Sequence, residues 1–246
     1  MKADPEVQRR LLELQAHDSA LARLEHRRRT LPELAVIAEA DTRLAALRDD
    51  VVRAETETGD LDRELRRLED DVEQVRRRAD RDQQRMQSGA VPAKELESLQ
   101  HEVETLTRRQ SDLEDTELEV MERREEAETR AGAVRAEVSA ATAIRTEAEQ
   151  ARDKAFAELD AEAAAETAAR TELAPQLPPD LLALYEKVRA ASGGVGAAML
   201  RQRRCEGCRL ELMGAELRAA QAAPPDEVLR CENCRRILVR TPESGL

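Results

Sequence analysis

"RMQSGAVPAKELESLQ", residues 85–100, decides how the rest of the chain folds. Ser88, Gly89 and Pro92 interrupt a helical pattern that is unbroken for long stretches on either side, and the residue before a proline is biased out of the α region. Upstream, apolar positions step by three and four through Leu44, Leu47, Val51, Ala54, Thr58, Leu61, Leu65, Leu68, Val72, Val75, Ala79, Asp82 and Met86. Only Thr58 and Asp82 break the apolar character of this heptad seam. A second seam runs downstream through Leu96, Leu99, Val103, Leu106, Gln110, Leu113, Glu117, Val120, Arg124, Ala127, Ala131, Val134, Val138 and Ala141. Two long helices joined by a short turn run antiparallel with their seams facing, so the spacing predicts a hairpin that turns near residues 88–93. Folding about residue 90 then sets the start of the chain beside residues near 170.

Composition agrees with narrow seams and excludes a broad core. The chain of 246 residues is 37% charged and 1% aromatic, with one Phe, one Tyr and no Trp. Such a sequence buries Leu, Val and Ala along helix faces, the usual economy of coiled coils. Thr30 and Glu33 in "RTLPEL" have capping-box spacing, and Pro32 suits a first helical turn, which predicts a helix break there. Before it, Val7, Leu11, Leu14 and Leu21 mark a shorter amphipathic segment. Gly59 and Gly132 should weaken their helices by about 1 kcal/mol each relative to Ala.

The prolines of "APQLPPD", residues 174–180, end the second arm. "DLLALYEKVRAAS" reads as one short amphipathic helix with Asp180 as its cap, closed by "GGVG". "AAMLRQRRC", "EVLRC" and "RILVRT" are short enough to be strands. The predicted fold is mainly α: a long antiparallel coiled-coil hairpin over residues 1–175, then a short helix and a small C-terminal domain over residues 176–246.

All four cysteines lie in this last segment, as "CEGC" (205–208) and "CENC" (231–234). The N-terminus lacks the apolar run of a signal peptide, and no stretch of about 18 apolar residues could cross a membrane. A soluble, cytoplasmic protein is therefore expected, in a compartment that keeps thiols reduced. Paired CxxC turns supply four thiolates to one tetrahedral zinc ion, so Cys205, Cys208, Cys231 and Cys234 are the candidate metal ligands for one structural Zn2+. Iron and a redox dithiol are the rival readings; a thioredoxin-like role would need a single CxxC within a βαβ pattern. His17, His26 and His101 all fall on the helical arms, away from the cysteines, and read as solvated positions. Neither a Ser/His/Asp set nor a glycine-rich phosphate loop is present, and the many carboxylates suit solvated helix faces with i,i+4 ion pairs. A binding protein is expected, not an enzyme, and no small-molecule substrate or membrane partner is implied.

Together with the hairpin pattern, "KELESLQHEVETL" (94–106), "LPPDLLALYEKVR" (177–189), "CEGC" and "CENCRRIL" (231–238) make the chain resemble the bacterial C4-type zinc-ribbon coiled-coil proteins. The resemblance implies a structural zinc on the four cysteines. It also implies the roles attributed to some relatives: chaperones or adaptors of flagellar or type III secretion systems, and RNA or DNA binding. Two positions depart from the family's pattern. Arg235 stands where a glycine commonly follows the last cysteine, and Val239 where an aromatic residue often follows "RIL". The 36 Arg against 4 Lys, with abundant Ala, suit a GC-rich bacterial genome.

Three functional readings follow. The first is an adaptor or chaperone whose coiled coil presents a surface to protein partners, with the ribbon as a second site. Gln110, Glu117 and Arg124, polar at seam positions, either fix the register or mark a place where partners enter, and register is the expected role. The second is RNA or DNA binding by the ribbon. The net charge of −12 argues against nucleic-acid binding by the whole molecule, but residues 199–246 hold nine Arg and seven acidic residues. Arg201, Arg203, Arg204, Arg235, Arg236 and Arg240 flank the cysteines and are the candidate phosphate contacts. The third is a regulator that inserts its hairpin tip into the RNA polymerase secondary channel. That reading calls for acidic residues at the tip, where this chain has Asp80 and Asp82 set back on one arm and Glu95 on the other.

Overall fold

Helix α2 spans Pro32–Gln87 and helix α3 spans Ala93–Leu173, so the break falls at residues 88–92, where the sequence places the turn. The computed structural model describes all 246 residues. Its packing divides them into two units, Ala35–Glu149 and Met1–Leu34 with Gln150–Leu246.

The first unit is the coiled-coil arm. Leu47, Leu61, Val72 and Val75 of α2 and Leu99, Leu106, Val120 and Ala127 of α3 are buried, the positions named by the two seams. Thr58 and Asp82 are buried at the seam as well; Thr58 Oγ1 satisfies itself by donating to the Ala54 carbonyl at 2.9 Å. Arg124, at a seam position, donates from Nε to Asp62 on the other helix at 2.6 Å. Ion pairs Arg43–Glu137, Asp41–Arg145, Glu57–Arg130, Arg78–Glu102 and Arg85–Glu95 tie the two helices along their flanks. A one-heptad slip would separate each of these partners, so together they fix the antiparallel register.

The second unit is built differently. Helix α1 (Pro5–Arg29) begins at Asp4, whose side chain accepts from the Glu6 N–H. It ends at Thr30, whose hydroxyl donates back to the His26 carbonyl at 2.9 Å. The break at "RTLPEL" is present, but Thr30 closes α1 and does not cap α2. Pro32 opens α2, because its missing N–H is one that the first helical turn cannot use. Helix α4 (Pro179–Ala191) likewise opens on Pro179, with Pro178 at the cap position and Asp180 inside the first turn. The expected Asp180 cap gives way because Pro179 already has the φ angle that a first helical residue needs.

The C-terminal segment forms a four-stranded sheet in the order β2-β1-β4-β3: β1 Ala197–Arg201, β2 Arg204–Cys205, β3 Leu229–Arg230 and β4 Ile237–Val239. The central pair β1–β4 is parallel, with Ala198 opposite Leu238. Helix α5 (Gly214–Ala222) lies between the two cysteine pairs. Leu11 and Leu14 of α1 are fully buried in one cluster with Leu181 and Tyr185 of α4 and with Ile237 and Val239 of β4. The N-terminal helix thus packs with the ribbon, while the prolines that mark the domain boundary at 175/176 in the sequence lie within this unit.

A buried polar network reinforces that packing. The Asp18 side chain is wholly inaccessible; it accepts from Arg170 Nε at 2.8 Å, from the Arg189 guanidinium at 3.0 Å and from the Tyr185 hydroxyl at 2.6 Å. Gln15 accepts the Gly196 N–H at 2.6 Å and donates to the Gly194 carbonyl at 3.1 Å, which pins the α4–β1 turn to α1. Burial, followed by the hydrogen bond to Asp18, pushes the Tyr185 hydroxyl far above its usual range, so it stays a donor. A Cβ at Gly196 would come within 2.7 Å of the Tyr185 carbonyl, so only glycine permits this approach.

Candidate metal centre

The two cysteine turns are built alike. In Cys205-Glu206-Gly207-Cys208-Arg209 the Arg209 N–H donates to the Cys205 carbonyl at 2.6 Å; in Cys231-Glu232-Asn233-Cys234-Arg235 the Arg235 N–H donates to the Cys231 carbonyl at 2.9 Å. The Cys205 N–H returns to the Leu210 carbonyl at 2.9 Å, and the Cys231 N–H to the Arg236 carbonyl at 3.0 Å. Arg209 and Arg235 both take the left-handed conformation, at φ 61 and 63. The repeated geometry turns two cysteine side chains from each knuckle to the same side.

The four Sγ atoms lie within 4.8 Å of one another. Cys205–Cys234 and Cys208–Cys231 are both 3.8 Å apart, across the two knuckles. Thiolates about 2.3 Å from a common tetrahedral centre stand about 3.8 Å apart, so the cage has the size that zinc requires. Cys205 and Cys231 are buried, and Cys208 and Cys234 half-buried; no disulfide joins them. Burial pushes the Cys205 and Cys231 thiols up, while the N–H groups of Cys208 and Gly207, and of Cys234 and Asn233, oppose that rise. Burial also opposes ionisation of Cys234, but the Arg236 backbone N–H and bonds from Cys231, the Arg236 side chain and Cys208 bring it down to about 7. Four sulfurs crowded in a half-dry cage become a stable tetrathiolate only with a cation at the centre. The site is positioned to bind one metal ion, consistent with one structural Zn2+ held by Cys205, Cys208, Cys231 and Cys234.

The arginines separate into two groups. Arg236 donates to the carbonyls of Ser192 at 2.7 Å, Val195 at 3.1 Å and Gly207 at 3.2 Å, joining the first knuckle to the α4–β1 turn. Arg240 donates to the carbonyls of Ala223, Pro224, Pro225 and Glu227 and holds the loop before β3. These two guanidinium groups are committed to the backbone of their own domain, which leaves little of them to meet a phosphate. Arg201 pairs with Glu243 at 2.9 Å, and Arg203 donates to the Gly245 carbonyl at 2.9 Å. Arg204 and Arg235 are exposed and carry no ion pair, and Arg209, which sequence reasoning passed over, is exposed beside them. Its signal was available: Arg209 follows the first CxxC as Arg235 follows the second.

The comparisons agree with this architecture. Residues 14–193 match the model of the CT398-like coiled coil hairpin domain, and residues 204–238 match the C4-type zinc ribbon domain. Rv2229c of Mycobacterium tuberculosis is 41% identical over 240 residues, 98% of each chain. ML1638 of Mycobacterium leprae is 34% identical over 231 residues, 93% of this chain and 94% of its own. A solved structure from Mycobacterium smegmatis superposes with a TM-score of 0.87 at 39% identity, covering 98% of this chain and all of the other. CT398 from Chlamydia trachomatis shares the fold, with a TM-score of 0.65 at 18% identity over 96% of this chain and 98% of that one. The hairpin seams, the closed cage of four thiols and these relatives together place the chain in the family of CT398-like coiled-coil hairpin proteins that carry a C4-type zinc ribbon.

Proposed function

We propose that this protein is a non-enzymatic adaptor or chaperone, working in the cytoplasm, whose coiled-coil arm binds protein and whose zinc ribbon is a second docking module. The observation that carries the reading is the pattern of exposure on the arm. Val52, Leu118, Met121 and Ile144 are 61%, 58%, 46% and 54% exposed on helices whose other outward positions are almost all charged or small. The seam does not use them, and large apolar groups left in water favour a partner that covers them. The metal centre fits the same reading, since four protein thiolates complete a tetrahedron and leave no position for a substrate. No helix is long and apolar enough to cross a membrane.

A second reading, RNA or DNA binding by the ribbon, is favoured by Arg204, Arg209 and Arg235, which are exposed and free of ion pairs on the knuckles. Affinity purification of the full-length protein, with identification of bound protein and RNA and reconstitution from purified components, distinguishes the two. The adaptor reading expects a stoichiometric protein complex that survives nuclease. Nucleic acid alone, lost when Arg204, Arg209 and Arg235 are changed to Glu, would replace it with the second reading.

A further inference from the structure

Leu118 and Met121 are not isolated. They line an open groove of about 800 Å³ along the arm, together with half-buried Leu65 of α2. On α3 the lining residues Leu118, Met121, Glu122 and Glu125 follow the i, i+3, i+4, i+7 spacing of one helix face, and Asp62, Leu65, Arg66 and Glu69 repeat it on α2. Two helix faces side by side with apolar residues between charged ones are the surface that accepts a third helix.

The charge of the rim selects which helix. Of its acidic residues, Asp62 is neutralised by Arg124 at 2.6 Å and Glu128 by Arg135 at 3.1 Å. Glu69, Glu122 and Glu125 have no ion pair, whereas the flanks of the arm on either side are closed by Glu57–Arg130, Arg76–Glu114 and Arg78–Glu102. Unpaired carboxylates therefore border the apolar residues, with Arg66 as the only uncommitted cation of the lining.

We infer that this groove binds a basic amphipathic helix of a partner protein, its apolar face on Leu65, Leu118 and Met121 and its Lys or Arg residues against Glu69, Glu122 and Glu125. The inference rests on the adaptor reading and gives the partner a chemistry. The groove follows α3 from Leu118 to Thr129, which at about 1.5 Å per residue matches some three turns of a partner helix.

The test uses the full-length protein and a labelled synthetic helical peptide with Leu at heptad a and d positions and Lys at e and g. Two control peptides accompany it: the same composition scrambled, and the same sequence with Glu for Lys. Binding of the basic helix that weakens with salt, and at least tenfold in L118Q/M121Q and in E122K/E125K, supports the proposal. E147K/E158K carries the same net charge change on exposed acids elsewhere on α3 and should bind as the parent does. Circular dichroism of each variant confirms retained helicity. Equal binding by the scrambled peptide, equal loss in E147K/E158K, or unchanged affinity in L118Q/M121Q overturns the proposal. So does sedimentation of the wild type as a dimer that L118Q/M121Q dissociates, which would make a second copy the occupant. If a reconstituted protein complex forms with L118Q/M121Q as it does with the parent, the groove proposal fails while the adaptor reading stands.

Discussion

The coiled-coil arm, Ala35–Glu149, and the ribbon-bearing unit reach stability by opposite means. In the arm the heptad pattern recurs, with mostly small or aliphatic side chains in the seam, interrupted by Thr58, Asp82 and Arg124, and ion pairs on the flanks, so its stability is spread over many residues. Exposed pairs of this kind are worth at most about 1 kcal/mol each. In the ribbon unit the sheet is short, and order depends on a few groups with many partners: four thiols in one cage, one inaccessible carboxylate, and two arginines bonded to seven backbone carbonyls. The arm should therefore absorb substitutions that would unfold the ribbon.

The largest expected contrast comes from Cys231→Ser. Structural zinc in small sites contributes on the order of 10 kcal/mol, far more than this short sheet could replace. The variant should lose its stoichiometric zinc and its ribbon structure while the arm stays helical, read by metal analysis and far-ultraviolet circular dichroism. Loss of arm helicity in the same variant would show that the arm depends on the metal centre for its stability.

Asp18→Ala should come next. Removing a carboxylate with no solvent access leaves Arg170, Arg189 and the Tyr185 hydroxyl without their shared acceptor, a change expected to cost about 3 kcal/mol. Urea unfolding should show it as a lower midpoint for the ribbon unit, and Asp18→Asn, which retains one acceptor oxygen, should lose less.

Within the ribbon, two neighbouring arginines should have opposite effects. Arg236→Ala strands the carbonyls of Ser192, Val195 and Gly207 and should destabilise the ribbon by about 2 kcal/mol. Arg235→Gly should do the reverse, raising stability by up to about 1 kcal/mol, because Arg235 holds a φ of 63 that costs an L-residue and suits glycine. Thermal unfolding of the zinc-loaded proteins separates the two signs.

The smallest effect is expected on the arm. The Arg124 guanidinium beside Asp62 holds its carboxyl below the usual carboxylate range. A lowered folded value means that this pair's contribution is complete above the ordinary titration near about 4 and fades as pH falls through the folded value. Asp62→Asn should shift the urea midpoint slightly at pH 7, and the difference from the parent should shrink at pH 3.

What could be read from the sequence follows the same division. Periodicity is local, so Leu61, Val72, Leu99 and Val120 could be assigned to the seam and the turn placed near residues 88–93 from pattern alone; Ala93 proves to open α3. The CxxC spacing is local too, and it names the metal cage. The docking of α1 on the ribbon was not legible: Leu11 and Ile237 are remote in sequence, and nothing in the short run Val7, Leu11, Leu14 says what covers it. Gln15 and Asp18 look like ordinary polar positions on a helix until Gly196 and Tyr185 close over them. Arg236 and Arg240 read as phosphate contacts because arginines beside a zinc knuckle carry no mark of the backbone carbonyls they bond. Helix α5 is short and Ala-rich, with Leu217 its one large apolar side chain, so it carries no periodicity from which a helix could be read.

Hydrogen–deuterium exchange on the zinc-loaded and metal-stripped full-length protein reads the stability of the arm and of the ribbon in one sample. Metal removal is expected to raise exchange throughout residues 197–241, and at the α1 and α4 surfaces packed on them, while the amides of α2 and α3 within Ala35–Glu149 keep their protection. An arm that loses protection together with the ribbon, or a ribbon that keeps its protection without metal, would contradict the account.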